Sequence, residues 1–250
     1  MKTNHKLIGL CLSLLTLSGF SMQESEASAA TYTGAVDLSI TITSIINESN
    51  PGAGYGNDLF YSGLIAQDPL SESIIDGEGE VTPTFSGDPL LENPTVLPVN
   101  FSFNQGMKIA GNAIDGSIDS YYFGFADLIL ENTSEDTYKI NYSVDYSLSV
   151  ITTTSSNLDF SEATVSISGE NLGLPNDYAE VYSNALIAVS DELSDKNELV
   201  LTLVSGEDAA FFSALEFSGY AEASPVPVPG ALGLLLTALL VLPRFYKTKK

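Results

Sequence analysis

The sequence predicts an all-β protein whose body is an antiparallel, jelly-roll-like β-sandwich. Apolar and polar residues alternate over several stretches of the body, which is typical of half-buried strands. Turn-forming Gly, Pro, Asn and Asp residues separate these stretches, as in sandwiches built of many short strands. The body contains no Cys and cannot form disulfides, but about 195 residues are enough to bury a stabilising apolar core.

The clearest strand signals lie at 138–150 and 36–42. From Tyr138 to Val150, every second residue is apolar or aromatic and the residues between them are polar, which predicts a strand with one buried face. Residues 163–167 alternate in the same way. Tyr121–Leu130 is apolar on both faces and suits a central strand. The polar stretch 131–136 follows it, so we predict a hairpin that joins this strand to the one at 138.

Further strands are predicted at 96–103, 178–189, 198–204 and 214–221. The apolar residues of 178–189 do not alternate cleanly, and a helix is the alternative there. Two stretches, 47–58 and 67–98, are expected to be irregular because Gly is frequent in the first and Pro in the second.

The N-terminal segment has the features of a secretory signal peptide. Lys2 and Lys6 precede the apolar run Leu7–Phe20, and small residues follow at 27–30. A basic start, about 14 apolar residues and an A-x-A site define such a peptide. We expect cleavage after Ala29, with Ala27 and Ala29 at the small-residue positions, or after Ala30. The alternative is an N-terminal membrane anchor, for which the run is short. Residues 1–29 are thus assigned to the signal peptide and 30–223 to the body.

Residues 224–250 have three parts. A Pro-rich spacer comes first, and its fixed φ angles favour an extended chain. The apolar run Ala231–Leu242 follows, and a basic tail ends the chain. An apolar helix followed by basic residues stops in a membrane with the tail cytoplasmic, which predicts a short transmembrane helix. The residues concerned are Pro225, Val226, Pro227, Val228 and Pro229 in the spacer and Arg244, Lys247, Lys249 and Lys250 in the tail.

This three-part end resembles the PEP-CTERM sorting signal of bacterial exported proteins, in which a Pro-Glu-Pro-like motif precedes a short membrane helix and a basic cluster. The matching motif is Pro225-Val226-Pro227 or Pro227-Val228-Pro229, with Val in place of the central Glu. The resemblance covers about 26 residues. It implies that an exosortase in the inner membrane cleaves the chain near the Pro motif and delivers the body to the cell surface or the extracellular matrix. An uncleaved single-pass anchor is the alternative.

Composition excludes several classes of function. The chain has 250 residues and a net charge of −23, and between Ala30 and Val226 it has 30 acidic residues against Lys108, Lys139 and Lys196. That body has no His, Cys or Arg, so it cannot supply a Ser-His-Asp or Cys-His nucleophile or a Cys/His zinc site. Its negative charge repels nucleic-acid phosphate. We therefore predict a protein that is not an enzyme and does not bind nucleic acid.

Two acidic segments are candidate calcium ligands. Asp76, Glu78 and Glu80 place three carboxylates within five residues, separated by glycines, and Asp115 and Asp119 form a second group. Hard carboxylate oxygens at such spacing can bind Ca²⁺. A solvated acidic loop is the alternative for both groups. No other cofactor is predicted.

Carboxylates and tyrosines together suggest a second class of function. Paired carboxylates can run glycoside hydrolysis, and in a chain without Trp, Tyr121, Tyr122 and Tyr182 are candidates for stacking on sugars. Strand packing is the alternative for these rings.

The leading hypothesis is an exported, non-enzymatic surface or matrix protein. Its expected partners are an exosortase-like processing enzyme, the inner membrane and extracellular polysaccharide. A carbohydrate-binding or carbohydrate-cleaving exported domain is one alternative, and a permanently anchored surface protein is the other.

Overall fold

The computed structural model describes residues 28–67, 71–89, 93–98 and 100–224. Ser28–Ser224 form one compact unit. Residues 1–27 of the predicted signal peptide (1–29) and residues 225–250 of the predicted sorting segment (224–250) lie outside the described residues. In the ranges given above, no helix has the length and apolar character needed to cross a membrane.

The described residues are almost entirely β-structure, which confirms the all-β, antiparallel part of the prediction. One 3₁₀ turn, Pro175–Asp177, interrupts ten strands that all pair antiparallel. The strands are β1 (Ala30–Asn47), β2 (Leu59–Gln67), β3 (Glu72–Gly87), β4 (Thr95–Val96), β5 (Ser102–Asn132), β6 (Tyr138–Thr154), β7 (Phe160–Glu170), β8 (Tyr178–Asn184), β9 (Ser190–Leu203) and β10 (Asp208–Ala223).

The long strand β5 organises the sheet. On one side it pairs first with β1, through residues 102–113, and then with β10, through residues 116–131. On its other side it pairs with β3 and then with β2. The sheet continues from β1 to β6 and β9, and from β10 to β7 and β8. We call these two parts the β1 half and the β10 half.

Two glycines lie where β5 exchanges β1 for β10 as its partner. Gly77 of β3 and Gly116 of β5 are directly paired, and their φ angles are +98° and +104°. A Cβ atom at either position would lie 1.9 Å from the carbonyl oxygen of Asp115 or Asp76 on the opposite strand. Only glycine fits such a close approach at positive φ.

The two halves of the sheet pack against each other around the core. A Cβ atom on Gly34 of β1 would lie 2.4 Å from the ring of Phe217 in β10 and 2.6 Å from Val165 in β7. The rings of Tyr32 and Phe217 are 5.5 Å apart, and the Tyr32 hydroxyl lies 2.6 Å from Ser120 Oγ. Burial in this interface raises the pKa of Tyr32 to about 12. Because Gly34 has no side chain, β1 can approach β7 and β10 of the opposite half this closely.

The alternating pattern of β6 is reproduced in the core. The predicted inward residues Tyr138, Ile140, Tyr142, Val144, Tyr146, Leu148 and Val150 are all buried. Because β1 pairs with β6 along nearly its whole length, both patterns present apolar side chains to the same interior.

The predicted hairpin between residues 121–130 and 138–150 is wrong. β5 and β6 do not pair in the described sheet, because β1 lies between them and the second half of β5 pairs with β10 and β2. Residues 133–137 therefore connect the two halves. The structure also has one continuous hydrogen-bonded sheet with facing halves where the prediction had a sandwich of separate sheets.

Part of the stretch predicted to be irregular forms a strand. β3 occupies 72–87 and includes Pro83. Within the described sheet β3 pairs only with β5, and an edge strand tolerates proline because one side needs no ladder hydrogen bond. Conversely, most of the strand predicted at 96–103 is absent: within that range only Val96, in β4, and Ser102 and Phe103, at the start of β5, lie in strands. The strand at 178–189 is confirmed up to Asn184 and ends in a turn.

Candidate functional site

The structure places the predicted calcium ligands on exposed strands. Asp76, Glu78 and Glu80 are exposed in β3. Glu78 lies opposite Asp115 of β5, while Asp119 lies opposite Ile74. Within the ranges that the structure describes, no three His, Cys, Asp or Glu side chains are grouped to hold a metal ion. The two predicted groups thus meet only where Glu78 lies opposite Asp115. Calcium binding by them stays a prediction.

Several aromatic side chains lie on the outer surface of the β10 half, and we call this surface the aromatic face. Tyr121 of β5 and Phe212 of β10 are 37% and 38% exposed, and Tyr178 and Tyr182 of β8 are 44% and 43% exposed. Half-buried rings lie on the same surface: Phe125 stacks on Phe212 at 6.5 Å, and Phe160 lies 6.1 Å from Tyr220. Rings this exposed on a sheet surface are accessible to a ligand.

The register brings two of the three predicted stacking residues to one row of this face. Tyr182 lies opposite Thr164 of β7, Thr164 opposite Ser218 of β10, and Ser218 opposite Tyr121 of β5. Neighbouring strands are about 4.8 Å apart, so the two tyrosines are separated by about 14 Å. The two hydroxyl side chains lie between them.

Tyr122 is not part of the aromatic face. It is buried, and its ring packs 6.2 Å from that of Phe85. Adjacent strand residues point to opposite sides of the sheet, so only Tyr121 of this pair can meet a ligand. The expectation that Tyr122 contributes to sugar stacking is wrong.

Carboxylates position the tyrosine hydroxyls of the aromatic face. The Tyr182 hydroxyl donates to Glu162 and the Tyr220 hydroxyl donates to Glu222, both at a distance of 3.0 Å. The Tyr178 hydroxyl donates to Glu180. Burial and the hydrogen bond to the neighbouring carboxylate raise the pKa of Tyr178 and Tyr220. Both phenols therefore keep their protons to a higher pH than a free tyrosine does.

Further polar side chains lie on the same face. Asp127 is one of them, but one of its carboxylate oxygens is buried without a hydrogen-bond partner among the described residues, so that oxygen is not available to a ligand. A small depression of about 70 Å³ is lined by Thr164, Ser166, Tyr178, Glu180, Glu216 and Ser218. The lysines of the described ranges, Lys108, Lys139 and Lys196, lie on the first part of β5, on β6 and on β9. The aromatic face therefore offers rings, hydroxyls and carboxylates, and it suits a neutral or cationic polyol better than an anion.

The outer surface of the β1 half carries a polar groove of about 780 Å³. Side chains from several strands line it, including Asp37, Asp88 and Asp145. Asp88 accepts hydrogen bonds from the backbone and side-chain nitrogens of Asn104, at 3.1 and 2.7 Å. Lys196 Nζ lies 3.5 Å from Asp145 Oδ2. Sequence reasoning missed this groove because its residues come from distant strands and share no motif.

A third arrangement joins the beginning and the end of the described unit. Asp159, between β6 and β7, is 2% exposed. Its Oδ1 accepts hydrogen bonds from Ser28 Oγ at 2.5 Å and from the Ser224 backbone N–H at 3.0 Å, and its Oδ2 accepts from Ser155 Oγ at 3.3 Å. Burial acts to raise the pKa of Asp159, but these hydrogen bonds outweigh it and lower the pKa. Sequence reasoning missed Asp159 as well.

No protein-family model matches the chain, and no curated protein or solved structure is significantly similar to it. Of the predicted processing residues, Ala29 lies inside the described unit, where its N–H donates to Ser155 Oγ at 2.7 Å. Ala27 and the sorting residues from Pro225 to Lys250 fall in the ranges that the structure does not describe.

Proposed function

We propose that this chain is an exported, non-enzymatic surface or extracellular-matrix protein that is sorted through its PEP-CTERM-like end. The supporting observation is the pairing of both ends of the folded unit with one carboxylate. Ser28 and Ser224 both donate to Asp159. The strands of this unit run from Ala30 to Ala223, between the two predicted processing segments, so cleavage on either side leaves the sheet intact.

Each part of the proposed sorting signal has a physical task. The Pro-rich spacer 225–229 keeps the cleavage region extended. The apolar run places the chain in the inner membrane, and the basic tail fixes the orientation. An exosortase-like enzyme cuts near the Pro motif. The acidic body, which repels copies of itself, then remains soluble and interacts with cations or polymer.

The intact mass of the native protein, isolated separately from cell membranes and from medium, tests this function. We expect a species that lacks the signal peptide and everything beyond roughly 225–229. The matched control carries Pro225→Ala, Pro227→Ala and Pro229→Ala, which should abolish the C-terminal cut and leave the body unchanged. A mass that retains Lys250 and occurs only in membranes would show a plain single-pass anchor instead.

The aromatic face favours carbohydrate binding as a second candidate function. Sugars bind proteins by stacking apolar ring faces on aromatic side chains while their hydroxyls donate to carboxylates. Tyr121 and Tyr182 lie in one row with carboxylate acceptors around them. Because the body is strongly acidic and this face carries no lysine from the described ranges, the proposed ligand is a neutral polysaccharide.

Retention of the exported protein on insoluble neutral polysaccharides tests this second function. We expect Tyr121→Ala and Tyr182→Ala each to weaken binding by roughly 2- to 10-fold, which corresponds to the loss of one ring contact. Val200→Ala is the control, because Val200 is 57% exposed on β9, in the other half of the sheet. Equal retention of all variants, or no retention of the unmodified protein across a glycan panel, would count against it.

A further inference from the structure

The first described residues are integral to the fold. Ser28 is 7% exposed and donates to Asp159, while Ala30 is fully buried and pairs with Ala113 and Thr154. Ala29 makes two hydrogen bonds with Ser155: its N–H donates to Ser155 Oγ at 2.7 Å, and its carbonyl accepts the Ser155 N–H at 2.8 Å. A chain that starts at Ala30 loses all three of these hydrogen bonds. The Ser155 N–H then has no partner, and the buried Asp159 carboxylate keeps only the donors from Ser155 and Ser224.

The buried Asp159 carboxylate lacks a cation among the described residues. Its hydrogen-bond donors are Ser28, Ser155 and the Ser224 backbone, all of them neutral. The ion pairs among the described residues are those that Lys196 of β9 forms with Asp145 and Glu198, and Asp159 takes part in neither. A buried carboxylate is much better stabilised by a positive charge within about 4–6 Å.

We infer that signal cleavage takes place after Ala27, so that the mature chain begins at Ser28 and its new α-ammonium group becomes the cation beside Asp159. This inference rests on the proposed export. Ser25 and Ala27 supply the small residues that a signal peptidase requires at the third and first positions before the cut. The nitrogen of a serine lies about 3–4 Å from its own Oγ, which places the amino group within roughly 6 Å of the carboxylate that Ser28 Oγ contacts.

Cleavage after Ala27 also preserves the hydrogen bonds that join the two ends of the described unit. Asp159 Oδ1 then receives the Ser28 hydroxyl at the start of the mature chain and the Ser224 N–H at the end of the described unit. The Ser224 hydroxyl adds a hydrogen bond to the Leu158 carbonyl at 3.0 Å. Cleavage after Ala29 would remove the Ser28 hydroxyl from this junction.

The N-terminal sequence of the exported protein, produced from the full chain in a bacterial host, tests the inference. We expect a single N-terminus at Ser28. A start at Ala30 or Thr31 overturns the inference but leaves the proposed export standing. Retention of Met1 overturns both.

A second measurement tests the charge itself. Acetylation of the α-amino group of the processed protein removes the charge but keeps Ser28, and we expect it to lower Tm by about 2–4 °C. The same treatment of the Asp159→Asn variant should leave Tm unchanged, because the carboxylate partner is gone. An equal Tm decrease in both proteins, or no decrease in either, would mean that the α-ammonium group does not act on Asp159.

Discussion

Asp159 is a buried carboxylate that hydrogen bonds hold in its charged form. At pH 7, Asp159→Asn should lower the free energy of unfolding by about 1–3 kcal/mol, because the new amide NH₂ faces donors that need an acceptor. The folded pKa lies below that of the unfolded chain. Its contribution to stability is therefore fully present above the unfolded pKa and is lost as pH falls through the folded value.

Urea unfolding of the exported protein and its Asp159→Asn variant, at pH 7 and at a series of pH values below about 4, checks this prediction. The two stabilities should converge as the pH falls. Glu135→Gln, which changes an exposed carboxylate in the turn after β5, should match the unmodified protein throughout. A difference that persists or grows in acid would contradict the assigned sign.

Single residues show why the candidate site could be predicted only in part. The alternation of β6 identified its buried face correctly, but 121–130 is apolar on both faces. Nothing in that stretch distinguishes the exposed Tyr121 from the buried Tyr122, because pairing with β10 decides which side faces the core. Asp159 follows Leu158 in a stretch without a motif, and only the fold brings Ser28 and Ser224 to it.

Strands could be located from the sequence where apolar and polar residues alternate. Which strands pair with each other could not be predicted, because that depends on contacts between distant parts of the chain. The β5–β6 hairpin followed from sequence proximity, but β1 provides β6 with a better partner, since the two pair over nearly their full lengths. Prolines and charges made β3 resemble a loop. Such residues are characteristic of sheet edges because they discourage pairing with other chains, and the exposed carboxylates of β3 fit that position.

β5 illustrates the other limit at the scale of elements. Its 31 residues pair with both halves of the sheet, and the change of partner occurs at Gly116, which is paired with Gly77. In the sequence, Gly77 and Gly116 are separate members of two acidic, glycine-containing segments. Their direct pairing is a contact between distant parts of the sequence, and no local sequence pattern predicts it.

Net charge dominates the behaviour of the whole molecule. The body combines 30 acidic residues with three lysines between Ala30 and Val226, so its charges repel one another in the compact state. The Debye length shrinks from about 30 Å at 0.01 M salt to about 10 Å at 0.1 M. Raising NaCl over this range should therefore raise Tm by a few degrees, roughly 2–4 °C per kcal/mol of relieved repulsion.

A comparison of Ca²⁺ with Mg²⁺ distinguishes general screening of the negative charge from binding at a specific calcium site. Because Asp76, Glu78 and Glu80 are exposed and ionic strength screens exposed charges, screening alone would make Ca²⁺ and Mg²⁺ at equal ionic strength raise Tm equally. Thermal unfolding in each salt, with Glu78→Gln and the exposed-carboxylate control Glu135→Gln, is the measurement. A larger rise with Ca²⁺ that disappears only in Glu78→Gln would show instead that Asp76, Glu78 and Glu80 assemble a calcium site when the ion binds, since Ca²⁺ accepts flexible oxygen ligands that Mg²⁺ does not.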